Sequence, residues 1–315
     1  MKMSIVLEQN IVPETRTFST GGVVVVIPAY NEERFIGSVV IQTKSYADTV
    51  IVVDDGSSDN TAVVATSAGA LVVQHETNQG KGVALNTGFA YARSLGADVV
   101  VTIDADGQHD SAEIHAVVDP VLCGDADIVI GSRYLINRSD VPQHRVWGHR
   151  AFNFLTNQVS GTAVTDSQSG FRAFSPHALD KLSFSSAGFS VESEMQFIAT
   201  DYNLRLVEVP ITIYYHDAPK RSVWKHGLAV LNGIMQLVGQ YRPLLFFGLS
   251  GLALLLVGLG WGAWVANIFR STRELAVGYA LISVMLFVIG NIVLSTGVIL
   301  HSIRGLLLNI ADNRI

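Results

Sequence analysis

The stretch "VVTIDADGQHD", Val100–Asp110, sets an apolar run directly against three carboxylates, Asp104, Asp106 and Asp110. A continuous Val/Ile run that ends in turn residues reads as a strand covered on both faces, because a strand with one wet face would alternate. Working outward, runs of the same kind recur between Gly22 and Asp217: "VVVVIPAYN" (23–31), "TVIVVDDGSSDNT" (49–61), "ALVVQHE" (70–76), "ADIVIGSRY" (126–134) and "LRLVEVPITIYY" (204–215). Helix-length segments separate them, as crossover connections require. The fold class expected is therefore α/β, a doubly wound, mostly parallel sheet. Such sheets bind ligands beyond the carboxyl ends of their strands. Polar residues gather at those ends: Asn31 and Glu32, Asp54 and Asp55, Asp104 and Asp106.

In an extended segment side chains alternate, so Asp104 and Asp106 point the same way and Gln108 follows if the chain stays extended. Two carboxylates on one side repel unless a positive group lies between them. Hard divalent cations such as Mg²⁺ and Mn²⁺ take oxygen ligands and share their shell with substrate phosphates. The pattern thus predicts a metal held by Asp104, Asp106 and Gln108 that in turn holds a phosphate; the competing reading is a solvated acidic turn. His109 and Asp110 are read as solvated or helix-start residues. In "NQGKG", Lys81 stands between Gly80 and Gly82, which let a ligand approach the backbone closely. Taken by itself it is a surface lysine in a loop.

A net charge of -6 over 315 residues argues against a nucleic-acid partner, which needs a basic face. The charged fraction of 15% and mean hydropathy of +0.36 are apolar for a fully soluble protein. The single cysteine, Cys123, excludes an internal disulfide framework and a Cys-rich zinc site, and is expected to pack in the core. Leu244–Phe269 and Leu275–Leu300 carry no charged side chain, and each is long enough to cross a hydrocarbon core of roughly 30 Å. Joined by "RSTRE", they read as a transmembrane hairpin. The organisation expected is an N-terminal extension (1–21), a catalytic domain (22–220), an amphipathic interfacial helix (221–243), the hairpin (244–304) and a tail (305–315). In the interfacial segment Trp224, Leu228, Leu231, Met235 and Val238 draw one apolar stripe, which suits either membrane lipids or the core of the preceding domain. The first twenty residues hold Glu8, Glu14 and Arg16 and no secretory pattern, so the catalytic domain and both termini are expected on the cytoplasmic side. Gly248, Gly251, Gly258 and Gly262 offer small-residue packing, within the hairpin or toward a second copy in a homo-oligomer.

The motifs "VVVVIPAYNEE", "VIVVDDGSSDNT", "NQGKGVALNTGF", "VVTIDADGQHD", "VIGSRY", "DSQSGFRAF" and "LVEVPI" occur in an order that resembles the family 2 glycosyltransferases, in particular the dolichol-phosphate mannose synthase-like group. The resemblance covers about Val23 to Lys225. It implies the nucleotide-sugar (GT-A) variant of the doubly wound fold. It also implies inverting transfer of a hexose from a nucleotide sugar to dolichyl or polyprenyl phosphate with Mg²⁺ or Mn²⁺, GDP-mannose being the leading donor and UDP-glucose and UDP-GlcNAc the alternatives. By the same resemblance Pro28, Ala29, Tyr30, Glu32, Asp55, Lys81, Asp104 and Ala105 form the nucleotide pocket, while Asp106 and Gln108 complete the metal ligands. Arg133 and Arg145 face the acceptor phosphate, as planar guanidinium forks suit phosphate oxygens. His149 stands where relatives often carry a serine. Arg221 and Lys225 grip donor phosphates or, alternatively, lipid headgroups.

A phosphate monoester with a second pKa near 6 is already largely dianionic at neutral pH, so no catalytic base is needed. Glu192 and Glu194 in "SVESEM" are accordingly read as structural or positioning residues. Three rival functions stay in view. A processive polysaccharide synthase lacks its Q-x-x-R-W signature here, a transferase to a glycan hydroxyl would need a base, and a non-catalytic nucleotide-binding membrane module would not need its metal positions.

Overall fold

The structure is a computed structural model that describes residues 22–135, 143–184, 191–214, 232, 235–236 and 238–312, the side chains of 143–149, 151, 308–309 and 311–312 excepted. Seven strands form one sheet: β1 (Val23–Ala29), β2 (Thr49–Asp54), β3 (Leu71–Gln74), β4 (Val99–Thr102), β5 (Ile128–Ser132), β6 (Arg172–Phe174) and β7 (Leu206–Pro210), in the order β3-β2-β1-β4-β6-β5-β7. The pairs β1–β2, β1–β4, β2–β3 and β5–β7 are parallel, whereas β6 runs antiparallel between β4 and β5. The sequence reading missed β6, because three residues are too few to carry a periodic signal.

The unbroken valine runs have a direct cause. Val24, Val26, Ile51 and Val53 point into one core with Leu85 and Phe89, while Val23, Val25, Ile27, Val50 and Val52 point into a second with Ile36, Val40 and Ile114. Helices cover both faces. On one lie α1 (Ile36–Thr43), α2 (Thr61–Ser67) and α4 (Ile114–Leu122); on the other lie α3 (Lys81–Ser94), α6 (Pro176–Lys181) and α7 (Val191–Asp201). Each fully buried valine contributes about 1.5–3 kcal/mol of transfer free energy, so both faces must stay apolar. Helix α5 (Gln143–Ser160) packs against α7. Cys123, expected in the core, is instead exposed: it follows the last turn of α4, and the apolar face of that helix is supplied by Ile114, Val117, Val118 and Val121.

Two long helices follow, α8 (Leu249–Thr272), continued backwards by a π-helical turn at Leu244–Gly248, and α9 (Val277–Asp312). The spans Leu244–Thr272 and Val277–Leu307 are long and apolar enough to cross a membrane, and only 17% and 6% of their most apolar windows are buried by the rest of the protein. A core helix would be mostly covered. The second helix runs on past Leu300 to Asp312. Glycines let the two backbones touch: a Cβ on Gly290 would stand 2.7 Å from Leu255 N, and one on Gly251 would stand 2.8 Å from Gly290 O. Gly248, Gly258 and Gly262 likewise face α9 or its side chains, so all four glycines singled out in the sequence are used within the chain.

The hairpin is tied to the α/β unit at its near end. Asp201, the last residue of α7, accepts from Arg304 Nη2 and stands 3.5 Å from Arg242 Nη1, and the Tyr241 hydroxyl donates to Glu194 at 3.0 Å. Arg304 also stacks over the Tyr241 ring at 4.4 Å. Of the expected interfacial helix, the described end packs inward: Val238 and Tyr241 are buried and Met235 is exposed. Trp224, Leu228 and Leu231 lie outside the described residues.

Candidate active site

Register brings the polar strand ends together. Ala29 pairs with Asp54, and Val26 with Thr102, so residues 103–106 run beside the end of β1. The turn after β1 places Asn31 at φ 55°, where its amide donates to Ser57 Oγ at 2.9 Å and its side-chain oxygen accepts from Ser58 N at 2.9 Å. Glu32 N donates to Thr61 Oγ1 at 2.9 Å. These bonds clasp the first two loops and leave Tyr30 47% exposed at the end of β1, next to a half-buried Pro28 and a buried Ala29. Asp54 accepts from the Ser57 hydroxyl and amide and so shapes the turn.

Asp55, expected at the nucleoside, is 3% exposed and braces the next loop. Its Oδ1 lies 2.7 Å from His75 Nδ1 and accepts from Gln79 N at 3.0 Å, and its Oδ2 accepts from Gly80 N at 2.7 Å. The other His75 nitrogen meets Thr87 Oγ1 of α3 at 3.0 Å. Asp55 and His75 thereby fix the start of α3, where Gly80 takes φ 93° and Lys81 is the first helical residue.

Lys81 is far from a loose surface lysine. Its Nζ donates to Asp104 Oδ1 at 2.7 Å and to Glu192 Oε1 at 2.6 Å, joining the strand-end carboxylate to α7. Burial works against the ammonium, but the charges of Asp104 and Glu192 outweigh it and hold the lysine above its ordinary pKa. Burial likewise opposes the Asp104 carboxylate, yet Lys81 and His109 keep it below the ordinary range. Asp106 goes the other way: burial first and the neighbouring Asp104 charge second push it up.

The acidic loop turns at Gly107, φ 72°, and Asp106 Oδ1 accepts from Gln108 N at 3.1 Å. Ala105 is buried, and the Gln108 carbonyl accepts from Tyr214 N at 2.9 Å. Asp110 starts the short turn Ser111–Glu113 as expected, accepting from Ala112 N at 2.9 Å. His109, expected in solvent or at a helix start, stands just ahead of that turn and is 9% exposed: the backbone bridge to Ile213 turns it inward, edge-on to Phe171, with Nε2 at 3.7 Å from Asp104 Oδ2 and Nδ1 buried without a partner. Asp104, Asp106 and Gln108 supply hard oxygen donors from one turn, Asp104 with Lys81 on one oxygen and Asp106 with a backbone amide. They fit Mg²⁺ or Mn²⁺. Among the described residues no group of three or more His, Cys, Asp or Glu could hold such an ion, so further oxygens would come from the ligand.

The segment "DSQSGFRAF" supplies site residues to which the sequence alone gives no role. Asp166 pairs with Arg133 through Nε at 2.6 Å and Nη2 at 2.7 Å, so the arginine expected at the acceptor phosphate is held in a two-point ion pair. Gly170 leaves room for Asp104: a Cβ there would lie 2.7 Å from Asp104 Cγ. Arg172, fully buried, donates to the carbonyls of Ser169 at 2.8 Å and Ser167 at 3.0 Å beneath the site. A local signal was present: an arginine set among Phe171, Ala173 and Phe174 marks a buried charge, and the glycine just ahead of it a close approach. Glu192 and Glu194 are both buried, the first bound to Lys81 and the second to Tyr241. Arg145 and His149 lie on α5 with undescribed side chains, Arg150 is exposed, and Arg221 and Lys225 lie outside the described residues.

Residues 24–183 match the family described as Glycosyl transferase family 2. The UDP-N-acetylglucosamine–dolichyl-phosphate N-acetylglucosaminyltransferase of Methanococcus voltae is 37% identical over 215 residues, 61% of this chain and 85% of that protein. The polyprenol monophosphomannose synthase of Mycolicibacterium smegmatis is 32% identical over 60% of this chain and 76% of its own length. Among solved structures, glucosyl-3-phosphoglycerate synthase from Mycobacterium tuberculosis, in complex with Mn²⁺, UDP and phosphoglyceric acid, superimposes with TM-score 0.57 at 26% identity, covering 69% of this chain and 77% of that one.

Proposed function

The chain belongs to glycosyl transferase family 2, and from that premise we propose that it transfers a hexose from a nucleotide sugar to dolichyl or polyprenyl phosphate with inversion at the anomeric carbon. The observation that carries this reading is the pairing of Lys81 with Asp104 beyond the ends of β1 and β4, next to Asp106 in the same acidic turn and with Tyr30 exposed after β1. A phosphate oxygen of the lipid attacks the anomeric carbon, the bond from that carbon to the donor diphosphate breaks, and the nucleoside diphosphate leaves with the electron pair. A divalent cation on Asp104, Asp106 and Gln108 would supply positive charge to the departing diphosphate. Lys81 supplies a second positive charge on the same side. Tyr30 offers a stacking face to the base, and Pro28, Ala29, Glu32 and Ala105 line the nucleoside end.

The state of Glu192 supports a phosphate acceptor. Its carboxylate is bound to Lys81 at 2.6 Å and is buried, so it is not poised to take a proton from an acceptor hydroxyl. Arg145, His149 and Arg133 are assigned to the acceptor phosphate, with Arg133 exchanging part of its bond to Asp166 for the phosphate, and Arg221 and Lys225 to the donor phosphates. As for the sugar, one relative is named for GlcNAc and another for mannose, so UDP-GlcNAc stands beside GDP-mannose and UDP-glucose as donor. The exposed apolar pair α8 and α9 is read as a membrane-crossing hairpin, with Trp261, Trp264 and Tyr279 clustered near its far end as interfacial aromatics and the α/β unit and both termini in the cytoplasm. The acceptor is tested by offering dolichyl phosphate and dolichol side by side. A sugar phosphodiester of the first, identified by mass, is expected; transfer to dolichol instead would exclude the phosphate acceptor.

A further inference from the structure

The metal ligands are unequal in a way that rests on, and extends, the donor chemistry proposed above. Lys81 Nζ sits on Asp104 Oδ1 at 2.7 Å and is shared with Glu192 at 2.6 Å. The opposite Asp104 oxygen faces His109 Nε2 at 3.7 Å, and Gly170 closes the remaining side. Asp106, by contrast, accepts from a backbone amide at 3.1 Å and has no ion-pair partner among the described residues. One of the two carboxylates is therefore already neutralised by an ammonium of the protein itself. A divalent cation arriving alone must compete with that ammonium for Asp104. A cation arriving with a nucleoside diphosphate does not, because the diphosphate oxygens offer Lys81 a new partner while Glu192 keeps hold of it.

We propose that Lys81 is a counter-ion latch: in the nucleotide-free protein it occupies Asp104, and the donor diphosphate draws it off, so that metal and nucleotide bind as one cooperative unit. The latch makes binding selective for the metal–donor pair over either alone, and linkage requires the effect to be reciprocal.

The test is Mn²⁺ binding by the full chain in detergent, read from the electron paramagnetic resonance signal of free Mn²⁺, with no nucleotide, with UDP and with GDP. For the unaltered protein a nucleotide that binds should tighten Mn²⁺ by roughly tenfold or more, within the usual range of such couplings. Lys81→Met should tighten Mn²⁺ in the absence of nucleotide by about tenfold and shrink the coupling. Because that change strands Glu192, the double variant Lys81→Met/Glu192→Gln is measured beside it and should behave alike. Mn²⁺ affinity that is unchanged or weaker in both variants without nucleotide, or coupling that survives undiminished, would overturn the latch. Absence of any UDP or GDP binding by the unaltered protein would instead remove the donor chemistry on which it rests.

Discussion

At the scale of single residues, the site rests on how each carboxylate is neutralised. Asp104 has Lys81 and His109, and Asp106 has a backbone amide, which makes Asp106 the more dependent on an added cation. Asp106→Asn should lower transfer by at least about 100-fold, the scale of removing one electrostatic stabiliser, while the melting temperature stays level or rises because a repulsion is relieved. Gly170→Ala separates geometry from folding: its backbone conformation is open to any residue, but the new methyl would press on the Asp104 carboxylate. Activity should fall roughly 10- to 100-fold, as expected for a change that displaces a ligand of the proposed metal, with a small shift in melting temperature. Loss of both together would mean that the glycine serves packing alone.

At the scale of elements, the strands were legible because their cores lie on both faces and force continuous apolar runs, and the acidic loop was legible because it breaks such a run. Less could be read where partners come from far along the chain. Lys81 meets Glu192 across 111 residues, Arg133 meets Asp166 across 33, and nothing local in "NQGKG" or "GSRY" announces either pairing. The burial of His109 is hidden for the same reason, since it depends on the bridge to Ile213. Such long-range pairs make element-scale predictions. Arg205, at the start of β7, binds Asp127 ahead of β5 through Nε at 3.0 Å, and the hydrogen bonds from Arg205 lower the Asp127 pKa. Stability from this pair is present above the ordinary carboxylate pKa of about 4 and is lost as pH falls through the lowered value. Asp127→Asn should therefore destabilise the protein modestly at pH 7, since Arg205 is largely exposed, and by less at pH 3, below the ordinary carboxylate pKa. Urea unfolding at the two pH values checks the sign; an equal cost at both would contradict it.

At the scale of the whole molecule, α7 stands between the proposed donor site and the hairpin, holding Lys81 through Glu192, Tyr241 through Glu194, and both near-end arginines through Asp201. Tyr241→Phe removes a hydroxyl donated to a buried carboxylate and should cost about 1.5–3 kcal/mol, seen as a lower melting temperature in detergent. The exposed Cys123, the single cysteine of the chain, reports orientation without any substitution. A membrane-impermeant maleimide should label it in inside-out vesicles and leave it untouched in intact cells; labelling from outside would reverse the topology proposed. The central claim is tested most directly by incubating the full chain in detergent with dolichyl phosphate and labelled UDP-GlcNAc, GDP-mannose or UDP-glucose in turn, with Mn²⁺ or with chelator. A labelled lipid formed from one donor, abolished by chelator and by Asp106→Asn, is the predicted result; product formation that survives both would contradict it.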